Sequence, residues 1–136
     1  MVSDELPDTT FTVTVDNQSV IHLTFFKISE KAAEHKSQAE AIQAIVHKLL
    51  QKNPRQRYDT VVDARAIRHT MFLAMDAQVI YLNLMKQPQI KRLAFVATGR
   101  FLKIMTSVFT QFTGKAASVK WFEEIDQALA WLHQKA

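Results

Sequence analysis

The sequence predicts an α/β domain in which an N-terminal β-hairpin leads into successive strand-helix units, forming a mainly parallel five-stranded sheet with four helices mostly on one face. Three observations carry this expectation. Phe11, Val13 and Val15 alternate with threonines and reach turn chemistry at Asp16-Asn17-Gln18-Ser19, which marks a hairpin. Beyond it, short β-branched runs alternate with stretches of helical periodicity, the pattern of parallel strands joined by helical crossovers. The chain of 136 residues is also nearly half apolar, enough to bury one continuous core without metals or disulfides.

The elements follow in order. Residues 1–9 are polar, contain Pro7 and lack periodicity, so they read as a frayed tail before a single domain over 10–136. The second hairpin strand runs through Val20, Ile21, Leu23, Phe25 and Phe26. From Ser29, a plausible N-cap, to Lys52, the positions Ala39, Ile42, Ile45, Val46, Leu49 and Leu50 keep helical spacing, with Pro54 just past the end. Tyr58 to Asp63 is a short strand, and Met71, Phe72, Met75, Val79, Leu82 and Met85 then define a second helix that Pro88 closes. Ile90 to Ala97 is a nearly continuous apolar strand. Thr98 and Gly99 turn it into a third helix carrying Phe101, Ile104, Met105, Val108, Phe109 and Phe112, which Gly114 stops. A last strand, Ala117 to Trp121, leads through Glu123, Glu124 and Asp126 into a helix with Ala128, Leu129, Trp131 and Leu132.

Composition excludes several classes. Without cysteine there is no disulfide, no zinc-cysteine site and no thiol catalysis. The acidic N-terminus lacks the apolar stretch of a signal or transit peptide, and no apolar run approaches the roughly 20 residues of a membrane span. A cytoplasmic protein is expected. The net charge of +4 is uneven: residues 54–120 hold eleven Lys or Arg against three Asp, whereas the segments before and after are each net −2. A solvated basic face explains this better than a nucleic-acid site, because most aromatics fall at helical core spacing rather than among the basic residues.

The strand Tyr58 to Asp63, the strand Lys91 to Thr98 with its glycine turn, and the ending Val-Lys-Trp-Phe-Glu-Glu-Ile-Asp-Gln-Ala-Leu-Ala-Trp-Leu from Val119 to Leu132 resemble the SpoIIAA-like family, which includes STAS domains and anti-sigma factor antagonists. The resemblance runs from about Phe11 to Leu132 and implies a non-enzymatic regulatory domain acting by protein contact, with a homodimer as one form. The family's regulatory members carry an Asp-Ser-Ser-Gly-like turn after the strand matching Tyr58 to Asp63. Phosphorylation of its serine, adding a charge of about −2, releases a partner. This chain has Arg68-His69-Thr70-Met71-Phe72 there, without serine or glycine, so the family switch is expected to be absent and Thr70 is the residual phospho-site.

If the strands ending at Asp63 and Ala97 are adjacent, their turns bring Arg65, Arg68, His69, Thr98, Arg100 and Lys103 to one end of the sheet as a candidate anion-binding rim. The competing structural reading, weighted first, is that Asp63 pairs with Arg65 or Arg68 to lock the turn, with Gly99 shaping the neighbouring one. The five histidines show no metal-ligand spacing, no serine sits in a nucleophile elbow and no carboxylates pair at strand ends, so neither metal, cofactor nor enzymatic activity is expected. Phe72, Met75, Phe101, Met105, Phe109 and Phe112 read as core. As the minority option they line a pocket for a hydrophobic or anionic small ligand, as in related lipid-transfer folds. Helices on one face would also leave the opposite sheet face to a partner or a second copy.

Overall fold

The computed structural model describes residues 10–67, 73–99 and 119–134. Five strands form one sheet in the sequential order β1-β2-β3-β4-β5. β1 (Phe11–Val15) and β2 (Val20–Phe25) are antiparallel, and β3 (Tyr58–Asp63), β4 (Ile90–Val96) and β5 (Val119–Phe122) continue parallel to β2. The described helices are α1 (Ala32–Lys52), α2 (Met75–Met85) and α3 (Ile125–His133). The fourth expected helix, through Phe101 to Phe112, and its stop at Gly114 lie outside the described residues.

The hairpin turn is built by one carboxylate. Asp16 Oδ1 accepts the backbone N–H groups of Gln18 at 2.8 Å and Val20 at 3.1 Å, and Oδ2 meets His22 Nε2 at 2.9 Å. Ser19 sits at φ 61°, a left-handed conformation that this local bonding supports. Helix α1 starts later than the sequence suggests. Its N-cap is Lys31, and Ser29 accepts the Lys31 N–H on Oγ at 3.0 Å, turning the chain two residues ahead of the helix.

Strand alternation divides the core into two layers. Ile21, Leu23 and Phe25 of β2, Tyr58 and Val62 of β3, and Leu93 and Phe95 of β4 face α1 and α2. Val20, Val61, Ala94 and Val96 face α3, against Ala128 and Leu132. The sheet therefore carries a helix on its second face as well. Beyond the reach of α3, the residues of β1 and β2 on that face are Thr12, Thr14, His22 and Thr24, so polar side chains rather than a partner meet the requirement there.

Helix α2 is rotated relative to the expected apolar stripe. Its buried residues are Ala77, Tyr81, Leu84 and Met85, while Met75, expected in the core, is 69% exposed and Val79 is 49% exposed. With apolar residues all round the helix, periodicity alone does not select the inward face. Tyr81 packs edge-on against Phe25 with ring centroids 6.2 Å apart, and burial pushes its hydroxyl pKa above the ordinary range.

Two side chains fasten helices to this frame. His35, on the first turns of α1, is 1% exposed. Its Nδ1 accepts the Ala74 N–H at 3.0 Å at the start of α2, which leaves Nε2–H to donate to the Ser29 carbonyl. On the other face, Arg92 of β4 reaches Asp59 of β3 through Nε at 3.3 Å and Nη2 at 3.2 Å. The same guanidinium donates to the carbonyls of Trp131 at 3.2 Å, Gln134 at 3.0 Å and Leu132, and lies over the Trp131 ring at 5.5 Å. It thus takes up the free carbonyls at the C-terminus of α3. Replacing Arg92→Met leaves a buried carboxylate and an uncapped helix end, and is expected to cost about 3 kcal/mol. Urea unfolding checks this, and a smaller loss in the Asp59→Asn, Arg92→Met double variant than the sum of the singles would report the coupling.

Candidate functional site

The site lies at the C-terminal end of the parallel strands. Asp63 stands opposite Val96, so the turns beginning at Ala64 and Ala97 leave the sheet side by side. Backbone bonds continue the ladder past both strand ends: the Ala64 N–H donates to Val96 O at 2.7 Å, and the Ala97 N–H donates to Phe122 O at 3.1 Å. The adjacency required for a rim is present. Of the rim residues, Arg65 and Thr98 are among the described residues; Arg68, His69, Arg100 and Lys103, together with Thr70, lie outside them.

Arg65 is turned back onto the strand end. Its Nε donates to Asp63 Oδ1 at 2.9 Å, Nη2 donates to Oδ2 at 2.8 Å, and its backbone N–H also donates to Oδ1 at 3.1 Å. This bidentate geometry is the strong form of a carboxylate-guanidinium contact. Partial burial on its own would raise the Asp63 pKa, but the side-chain and backbone hydrogen bonds from Arg65 outweigh it and hold the carboxyl below its ordinary value. The Arg65 pKa is raised in turn, first by the Asp63 hydrogen bond and also by the charges of Glu124 and Asp126. Arg65 therefore sits among three acids, and its charge is balanced before any anion arrives. Thr98 is half-buried, and Gly99 follows in a left-handed conformation at φ 63°, which a residue with a Cβ adopts only under strain.

Among the described residues, no three His, Asp or Glu side chains gather where they could hold a metal ion. No described helix is long and apolar enough to cross a membrane. Sequence reasoning missed Asp59, Arg92 and His35, which act in pairs or bridges spanning 33 or more residues. A charge inside the otherwise β-branched Tyr58 to Asp63 run was the available signal for Asp59.

The family described as Domain of unknown function (DUF7793) matches residues 25–136. The chain belongs to this family. No curated protein and no solved structure matches it. The DUF7793 match takes in Asp59, Asp63, Arg65 and Arg92, so the strand-end pair and the α3 clamp both lie inside the family domain, whereas β1 lies outside it.

Asp63 titrates near 3.8 when unfolded and lower when folded, so its contribution to stability is present above that value and is lost as pH falls through the folded one. Asp63→Asn is expected to cost about 1 kcal/mol at neutral pH, as for a partly exposed pair. In strong acid the difference from wild type should vanish. Urea unfolding across pH checks both, and a difference unchanged in acid would assign the effect to something other than the carboxylate's charge.

Proposed function

We propose that the chain is a non-enzymatic regulatory domain of SpoIIAA or STAS type that works through protein contact, with a second copy of the chain as partner and the outer face of α2 as the contact surface. The observation that carries this reading is the composition of that helix. A helix packed on a sheet ordinarily turns a charged face to solvent, but α2 has one charged residue, Asp76, in MDAQVIYLNLM. Met75 and Val79, one turn apart, are exposed, and Leu82 beside them is half-buried. Apolar surface concentrated in this way is characteristic of contact surfaces, and a face that meets its own copy can close a two-fold dimer.

Two further features support the reading. The sequential strand order, with each strand beside its neighbour in sequence, agrees with the SpoIIAA-like resemblance. The turn where that family's regulatory members carry their serine reads Arg68-His69-Thr70-Met71-Phe72 here, which favours a domain that docks without the phospho-switch, and the strand end before it is already occupied by the Asp63–Arg65 ion pair. Arg65 is thereby a poor anion seat, and a small anionic ligand at this rim is the weaker alternative.

Sedimentation velocity over rising protein concentration should show a monomer-dimer equilibrium. Replacing Met75→Lys and Val79→Lys together should weaken it by about an order of magnitude or more, with little change in unfolding stability because both side chains are already exposed. A monomer at every concentration would remove the second copy as the partner.

A further inference from the structure

Helix α2 carries opposite charges at its two ends. Asp76 lies in the first turn, Lys86 is the C-cap, and the stretch between them, AQVIYLNLM, is uncharged. Both side chains are exposed. The ion pairs among the described residues are Asp16–His22, Asp63–Arg65 and Asp59–Arg92, so neither Asp76 nor Lys86 has a counter-charge there. At a rise of about 1.5 Å per residue the two stand roughly 15 Å apart along the axis, too far to meet within one helix.

The exposed stripe sets how a second helix can lie on them. Met75, Val79, Leu82 and Lys86 are spaced by four, three and four residues, the alternation that forms a seam between two helices. Lys86 falls within about 20° of Met75 around the axis, so it ends the apolar stripe rather than flanking it. Parallel packing of α2 on the same helix of a second copy sets acid against acid and base against base. Antiparallel packing about a two-fold axis sets Asp76 of each copy against Lys86 of the other, brings Val79 of each towards Leu82 of the other, and opposes the two helix dipoles.

We propose that two copies of the chain associate through antiparallel α2 helices, with Asp76 of each paired to Lys86 of the other. This pairing presupposes α2 as the self-contact surface and adds its orientation and register. Each charge also suits the dipole of its own helix. That role acts within one chain and affects stability alone, whereas pairing between copies makes the charge on one chain matter to the other.

The test is sedimentation velocity on Asp76→Lys and Lys86→Asp, separately and mixed. Either reversal alone sets like charges together at both contacts of the two-fold, and should weaken the homodimer about tenfold. Mixed in equal amounts, the two variants regain opposite charges at both contacts and should form a heterodimer of near wild-type affinity that weakens as salt rises. Asp76→Asn and Lys86→Gln, milder changes at exposed positions, should each weaken the dimer less than the reversals and reduce its salt dependence. Homodimers of the reversed variants as tight as wild type, a mixture no tighter than its components, or an unchanged salt dependence in the neutral variants would each overturn the pairing. A wild-type chain that stays monomeric removes the pairing together with the α2 contact. A dimer that Met75→Lys and Val79→Lys break but the charge reversals leave intact removes the pairing alone.

Discussion

The structure depends on one constraint: β3 and β4 are covered on both faces, so a charge buried in them must find its partner within the protein. Asp59 and Arg92 satisfy it together. The solution also organises the surroundings, because the guanidinium that neutralises Asp59 has donors left over and spends them on the last carbonyls of α3. The other layer has a counterpart at the same end of β4. Gln89, immediately before the strand, places Nε2 against the carbonyls of Leu50, Asn53 and Gln56 around the C-terminus of α1. The beginning of β4 thus anchors one helix end above the sheet and one below it, which sets where both helices can lie.

Much of this architecture is legible in the sequence where pattern and physics agree. Tyr58 to Asp63 reads as a strand because its β-branched run has one outcome, and Ala39, Ile42, Val46 and Leu50 mark the inner face of α1 because they keep helical spacing opposite a face of Glu40, Lys48 and Lys52. Helix α2 resists the same treatment, since Met75, Val79 and Leu82 compete with Ala77, Tyr81 and Leu84 and its one charge, Asp76, does not break the tie. The long-range bridges are illegible for another reason: nothing near His35 in sequence announces Ala74, and nothing near Arg92 announces Asp59. The strand end at Asp63 was located as a place of interest from its charges alone. That its carboxylate is used up by Arg65 is a matter of rotamer and distance, which spacing does not encode.

The strand end and α2 follow from one another. In open α/β sheets, ligands ordinarily bind beyond the carboxyl ends of the strands. Here the β3 end is sealed by an ion pair with low exposure on the carboxylate side, and Glu124 and Asp126 add further negative charge nearby. Among the described residues, the apolar outer face of α2 is left open to another surface.

His35 ties these layers together in time as well as in space. Its contact with Ser29 is local, but its contact with Ala74 spans 39 residues and closes only when the chain has come back through β3. The two helices are consequently one cooperative unit, and the start of α2 cannot fray without releasing the entry to α1. The Ala74 amide, donated to that ring, will exchange its hydrogen with solvent only when the whole layer opens, which makes a single backbone proton a gauge of the core's integrity.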